Sequence, residues 1–117
     1  MARSKMNTDI RLTPAMFGIL LALSAEEKHG YAVMQEVRRL TGTQLGPATL
    51  YRSIKQLLSA GLIAEADERP DPELDDERRR YYRLTAAGEA IAANEARRLS
   101  AIVQAAQIRG LLPGGAI

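Results

Sequence analysis

GPATLYRSIKQLLSAGLI, residues 46–63, carries the clearest local signals in this chain and is predicted to form one helix. Gly46 can cap such a helix, and Pro47 suits its first position, where a missing N–H costs nothing. Gly61 suits the residue just after the last turn. Apolar side chains recur at intervals of three and four residues, which indicates one buried stripe made of Leu50, Ile54, Leu57 and Leu58.

The opposite face of this predicted helix carries two cations and no acidic residue. A helix that enters the major groove needs slim residues at its N-terminal end, followed by donors that reach phosphates or base edges. An ordinary basic surface helix would show the same pattern, so the flanking segments must distinguish the two interpretations. The members of this face are Ala48, Thr49, Arg52, Ser53, Lys55 and Gln56.

The bulk composition limits the class of protein. A chain of 117 residues with no cysteine and a single histidine can form one domain around one core. The missing cysteines exclude disulfides and thiolate metal sites, and a single histidine removes most catalytic and zinc constellations. We therefore expect that the protein is not an enzyme and binds neither a cofactor nor a metal. Because no apolar run approaches a membrane span and no secretory segment begins the chain, we expect a cytoplasmic protein without membrane contact.

The net charge of +2 is unevenly distributed along the chain. Residues 65–80 contain eight acidic residues and four arginines, which leaves the rest of the chain at +6. A body of this charge suits a polyanionic partner such as double-stranded DNA, although many basic proteins bind no nucleic acid. The acidic residues lie in a loop with two prolines, where we expect them to pair with the neighbouring arginines rather than bind a cation.

Two further helices are predicted ahead of the opening stretch. Thr13 caps the first, Pro14 takes its first position, and the helix continues to about Ala25 with apolar side chains over much of its circumference. The second begins at His29 and ends near Leu40. Because a short glycine-containing turn joins it to the basic helix, the pair has the helix-turn-helix arrangement. The buried stripe of the second helix is Val33, Val37 and Leu40, and its outer face is Gln35, Arg38 and Arg39.

A hairpin is predicted directly after the basic helix. Alternating side chains indicate short strands at residues 62–66 and 78–84, joined by the acidic loop. A hairpin in this place is the wing of a winged helix. Its three arginines, Arg78, Arg79 and Arg80, are predicted to contact DNA, and the alternative is that they only neutralise acidic residues of the loop.

The last predicted helix is long for the size of the protein. Thr85 caps it, and it runs from Ala86 to about Arg109, where Gly110 ends it. At about 36 Å it is too long to be covered by so small a body, so part of its apolar stripe needs a second chain. A two-fold homodimer meets that need, and the alternative is a helix folded back along its own domain. The predicted dimer contacts are Ile91, Leu99, Ile102, Val103 and Ala106.

Three separated segments together resemble the PadR-type winged-helix transcriptional regulators: HGYAVMQEV from residue 29, GPATLYRSIKQLLSAGLI from residue 46 and RRRYYRLTAAGE from residue 78. The resemblance covers roughly residues 12–98. It implies a mostly α (α+β) winged helix-turn-helix fold with a two-stranded wing and a homodimer built through the C-terminal helix. It also implies a sequence-specific regulator, expected to be a repressor, that binds a two-fold operator. By position, Tyr31, Thr49, Tyr51 and Arg52 correspond to DNA-contacting residues.

The expected organisation is a flexible arm at residues 1–11, a winged helix-turn-helix domain at 12–85, a dimerisation helix at 86–110 and a tail at 111–117. DNA is expected to contact the second helix, the basic helix and the wing. The complete set of predicted contacts is Tyr31, Gln35, Ala48, Thr49, Tyr51, Arg52, Lys55, Gln56, Arg78, Arg79 and Arg80.

Two features depart from the family pattern. The wing loop is unusually acidic, so its tip should be repelled by phosphate. The chain has no tryptophan, and its last helix has no aromatic residue, so the platform on which some small relatives stack flat hydrophobic drugs is missing. The sequence therefore does not identify a small-molecule effector, and a repressor that binds no ligand is an alternative. The competing function is a winged-helix module that binds another protein and no DNA.

Overall fold

Four helices and three short strands make up the described parts of the chain, residues 11–66 and 80–113, in a computed structural model. The winged helix-turn-helix fold predicted from the sequence is confirmed. In chain order the elements are α1 (Pro14–Leu23), β1 (Lys28–His29), α2 (Gly30–Thr41), α3 (Pro47–Ser59), β2 (Ile63–Glu65), β3 (Tyr81–Leu84) and α4 (Ala86–Ile108).

The helix starts follow the local signals in the sequence. The Thr13 hydroxyl accepts a hydrogen bond from the Met16 N–H at 3.1 Å, which confirms the predicted cap of α1. Gly46 precedes α3 and Pro47 takes the first helical position, also as predicted. The cap of α2 is His29, whose Nδ1 accepts from the Ala32 N–H at 3.2 Å. The ends are less well predicted, because α1 stops at Leu23, before the expected Ala25.

The sheet has one more strand than the sequence indicated. β2 and β3 form the expected antiparallel hairpin, with Ile63 opposite Leu84. On its other edge β3 also pairs with β1, so the order is β1-β3-β2. β1 has two residues, too few to show any alternation, and it forms only because the fold brings Lys28 opposite Tyr82. The predicted strands at residues 62–66 and 78–84 are shortened to Ile63–Glu65 and Tyr81–Leu84.

The core surrounds α1. Ile19 and Leu20 are fully buried, as expected for a helix that is apolar over most of its circumference. α2, α3 and the sheet each turn an apolar face toward it, so α3 is held with one stripe inward and its polar side toward solvent. The buried members are Met16, Ile19, Leu20, Ala22, Leu23, Val33, Val37, Leu45, Leu50, Ile54, Leu57, Leu62, Ile63 and Tyr82.

Three burial predictions were wrong. Leu40 was placed in the buried stripe of α2, but it is 45% exposed, because it lies in the last turn before Gly42 takes a left-handed φ of +78°. Leu58 was placed in the stripe of α3 and is only half-buried. Ser53 was placed on the outer face of α3, yet it is buried. Ser53 follows Leu50 by three residues and precedes Leu57 by four, so it shares their face.

Candidate nucleic-acid interface

The outward face of α3 is made by the residues that the periodicity placed there, apart from Ser53. Ala48, Arg52, Lys55 and Gln56 are exposed, and Thr49 is half-buried at the N-terminal end of the helix. Ala48, Arg52 and Lys55 follow one another at spacings of four and three, which puts them in one row along the solvent side. A row with a small first member and two long basic members matches the shape that a major groove accepts.

The cations of α3 have no acidic partner among the described residues. Neither Arg52 nor Lys55 forms an ion pair with a residue of the described segments, and α3 itself contains no acidic side chain. Arg39 on α2, by contrast, reaches Glu36 at 2.7 Å. The hydrogen bond from Arg39 lowers the pKa of the Glu36 carboxyl, so this pair remains charged and neutralises itself. Within the described residues, then, no carboxylate neutralises the positive charge of α3.

α3 is anchored to the start of α2 through Tyr51. The Tyr51 ring lies against Gly30, where an added Cβ would come within 2.7 Å of the phenolic oxygen. Gly30 is buried and Tyr51 is half-buried. A side chain at position 30 would force the Tyr51 ring to move, so glycine here allows the Tyr51 ring of α3 to pack against the start of α2. Tyr51 was predicted to contact DNA, and the structure places its hydroxyl at the N-terminus of α2.

The predicted contacts on α2 lie beside this anchor. Tyr31 in the first turn is exposed, and Gln35 one turn later is exposed as well. Their spacing of four residues puts both side chains on one face of the helix. Tyr31 follows Gly30 directly, so this face of α2 begins next to the Tyr51 contact.

In the wing, one of the three predicted arginines lies within the described residues. Arg80 precedes β3, and its Nη1 is 3.1 Å from Oε2 of Glu65, the last residue of β2. Its partner within the described residues is thus a residue of the neighbouring strand. Arg78, Arg79 and the acidic loop lie outside the described residues, as do residues 1–10 of the predicted arm and 114–117 of the tail.

The predicted dimer stripe of α4 divides into two parts. Ile91 packs against the core of its own chain, and Leu99 borders a groove of about 290 Å³ between α1 and α4. Farther along, Ile102 and Val103 are 52% and 43% exposed, and Ala106 is half-buried. The first half of α4 is therefore folded back on its own domain, as the alternative held, while the second half presents its apolar side chains to solvent.

The connection between α3 and α4 contains residues that sequence reasoning did not single out for a role beyond capping. Thr85 caps α4 by accepting from the Gly88 N–H at 3.0 Å, as predicted. The same hydroxyl also donates to the carbonyl of Gly61 at 2.7 Å, across the sheet connection. No local signal could reveal this bond, because the two residues are far apart in the sequence.

Residues 19–94 of the chain match the model of the PadR-like family of transcriptional regulators. The protein belongs to this family. The matched segment runs from α1 through both helices of the helix-turn-helix and the wing into α4, so it contains the whole outward face of α3. The predicted PadR-type resemblance is thereby confirmed.

Solved structures share the fold of this PadR-like chain. A PadR family transcription regulator from hypervirulent Clostridium difficile has a TM-score of 0.68 and 22% identity, over 81% of this chain and 96% of that one. RosR of H. salinarum has a TM-score of 0.59 and 27% identity, over 76% of each chain. An uncharacterized 37.1 kDa protein of a Streptomyces fradiae transposon is 30% identical over 87 residues, which is 74% of this chain and 23% of that protein.

The described residues contain neither a membrane-spanning helix nor a cluster of metal ligands. None of the helices in residues 11–66 and 80–113 is long and apolar enough to cross a membrane. Within the same ranges, no three side chains of the types that ligate metals come together.

Proposed function

We propose that this PadR-like protein is a sequence-specific repressor that binds a two-fold DNA operator as a homodimer in the cytoplasm. In this proposal residues 12–85 bind DNA, and residues 86–110 join two copies. The observation that carries it is the row Ala48, Arg52 and Lys55 on α3, which is exposed, basic and without acidic partners in the described segments. Family membership supports a regulator of transcription.

The dimer follows from the exposed half of α4. Ile102 and Val103 lie next to each other on a helix that extends beyond the core of its own chain. Exposed apolar side chains of this kind are stabilised by burial against another surface. An identical helix related by a two-fold axis supplies an apolar surface of the same chemistry. Two copies of α3 related by that axis would then read two half-sites. A dimer bound across a promoter blocks access to it, which makes repression the expected outcome.

The DNA contacts divide into positioning and reading. Thr49 and Arg52 are expected to reach base edges, since a threonine can bond to a base or pack against a thymine methyl and an arginine can bind guanine. Lys55, Gln56, Tyr31, Gln35 and the wing arginines are expected to meet the phosphate backbone. The half-buried Tyr51 is expected to hold α2 and α3 in place beside that backbone.

The experiment starts by sequencing the genomic fragments that the purified protein retains, which identifies an operator. Binding of this operator and of random DNA is then measured for folded Thr49→Ala and Arg52→Ala dimers. Removing a base contact of Arg52 is expected to narrow the gap between operator and random DNA by about 1–3 kcal/mol. Arg97→Ala is the matched control, because Arg97 is an exposed arginine on α4 whose partner among the described residues is Asn94 of the same helix.

The competing function is a winged-helix module that binds another protein. Phosphate contacts make binding fall steeply with salt, whereas a protein interface without them does not depend on counterion release. Unchanged affinity and unchanged specificity in both Thr49→Ala and Arg52→Ala would show that α3 does not read DNA. The protein-binding function would then replace the proposed one.

A further inference from the structure

The C-terminus of α3 is closed by its own backbone. Gly61 has a φ of +77°, and its N–H donates to the carbonyl of Leu58 at 3.0 Å. The next N–H, of Leu62, donates to the carbonyl of Leu57, also at 3.0 Å. This is a Schellman ending, in which the last turn of the helix and the two residues after it form one rigid unit. The carbonyl groups of Gly61 and Leu62 point away from that unit and are free to accept bonds from elsewhere.

Both of these carbonyl groups accept from a single residue, Thr85. Its hydroxyl donates to the Gly61 carbonyl at 2.7 Å, and its backbone N–H donates to the Leu62 carbonyl at 3.2 Å. The same hydroxyl accepts from the Gly88 N–H at 3.0 Å in the first turn of α4. One side chain therefore bonds at once to the end of α3 and to the start of α4.

Gly88 allows the first turn of α4 to lie directly against the backbone of the segment that follows α3. It is the buried residue of α4, and a Cβ added to it would overlap the Leu62 carbonyl oxygen and come within 2.8 Å of a methyl group of Leu84. With no side chain between them, the first turn of α4 rests directly on Leu62, the third residue after the end of α3 at Ser59. A small rotation at this point is not absorbed by flexible side chains and would be passed on along the whole of α4.

We infer that Thr85 is a positioning residue that fixes the angle between α3 and α4, and through it the separation of the two copies of α3 in the dimer. This inference rests on the proposed function. In a two-fold dimer joined through α4, the angle at this junction determines how far apart the recognition helices lie and how they are rotated. Thr85 thereby selects operators by the number of base pairs between their half-sites, without touching DNA.

The test compares three substitutions that separate the two roles of the hydroxyl. Thr85→Ser keeps both the cap of α4 and the bond to Gly61. Thr85→Asp keeps the cap, since aspartate is a strong N-cap, but cannot donate to the Gly61 carbonyl. Thr85→Val loses both. Thr13→Val is the matched control, because Thr13 caps α1 and its side chain bonds, among the described residues, within that first turn.

The measured quantity is the ratio of affinities for the selected operator and for versions with one base pair added or removed between the half-sites. One base pair moves a half-site by about 3.4 Å and rotates it by about 35°. We expect Thr85→Asp and Thr85→Val to lower this ratio by about tenfold, within the usual range of coupling between distant sites. Thr85→Ser and Thr13→Val should keep the parent ratio, and binding of an isolated half-site should be unchanged in all four variants.

Three results would overturn the inference while leaving the proposed function intact. Thr85→Asp could behave like Thr85→Ser, which would mean that only the cap matters. Thr13→Val could lower the ratio as much as Thr85→Val does, which would indicate general loss of stability. Half-site binding could fall together with the ratio, which would place the damage in α3 itself. A parent protein that selects no operator would instead refute the proposed function, and this is seen before any variant is made.

Discussion

The helices α3 and α4 end in the same way, yet only one of them ends inside the protein. Gly61 and Gly110 have φ values of +77° and +80°, and each is followed by a leucine whose N–H bonds back to the helix. Leu62 is fully buried, whereas Leu111 is 78% exposed. The local sequence is enough to stop a helix, but it does not decide whether the residue after the stop is covered.

The same contrast holds along the two apolar stripes. Leu50 and Leu57 of α3 are fully buried by their own chain, while Ile102 of α4 is half exposed. In the proposed function the polar face of α3 contacts DNA, and its apolar stripe packs in the core. α4 has no core to cover beyond its first half, and its apolar side chains are the ones expected to function, as a surface for a second copy.

The largest expected effect concerns the exposed stripe. Replacing both Ile102 and Val103 with Asp would place four carboxylates in a two-fold interface, at a cost of several kcal/mol. We expect the variant to be a folded monomer, measured by light scattering at micromolar concentration. Gln104→Asp, on the other side of α4, should remain a dimer. A wild-type protein that is monomeric under these conditions would remove the contrast between α3 and α4.

The next effect concerns the two leucines that follow the helix ends. Leu62→Ala would leave a cavity in the core and is expected to lower the free energy of unfolding by about 2–5 kcal/mol. Leu111→Ala, at the equivalent place after α4, should change it by no more than about 0.5 kcal/mol. Denaturant titration of both variants measures the difference. Equal losses would show that Leu111 is as well covered in solution as Leu62.

A smaller effect is expected from the wing. Arg80 contacts Glu65, whereas Arg52 has no acidic partner in the described segments. If Arg80 also meets a phosphate, Arg80→Ala should flatten the dependence of log K on log salt by about one unit. Glu65→Gln removes a competitor for Arg80 and should tighten binding to operator and random DNA alike.

The control for this measurement is Arg97→Ala on α4, which should leave the slope as it is. A slope unchanged by Arg80→Ala would mean that Arg80 serves only to hold Glu65 at the base of the wing. The positive charge that binds DNA would then come from α2, α3 and the two arginines that precede Arg80.

The smallest effect depends on pH. The hydrogen bond from Arg98 lowers the pKa of the Glu95 carboxyl below its ordinary value of 4.5. Its contribution to stability is therefore fully present above pH 4.5 and is lost as the pH falls through the lowered value. Both side chains meet water, so the contribution is small. The difference in unfolding free energy between wild type and Glu95→Gln, measured by denaturant titration at several pH values, should shrink below pH 4.5.

Much of the candidate site could be predicted because it depends on periodicity. Four outward residues of α3 repeat with the helix and lie on the solvent side as expected, and Ser53 could have been placed correctly by the same count. The dual bonding of Thr85 could not be predicted. Its cap is a contact over three residues, but its bond to Gly61 spans 24 residues and exists only in the folded chain.

The sequence alone determined what depends on neighbours within a turn: where each helix begins, which glycines end α3 and α4, the hairpin after α3 and the family to which the chain belongs. Only the tertiary structure decided that β1 pairs with β3, that Leu40 is left exposed, that Ile91 faces its own core while Ile102 does not, and that α3 and α4 meet at Thr85. The reason is physical. Caps and turns are stabilised by hydrogen bonds over three to five residues, whereas burial depends on which distant segment arrives to cover a side chain.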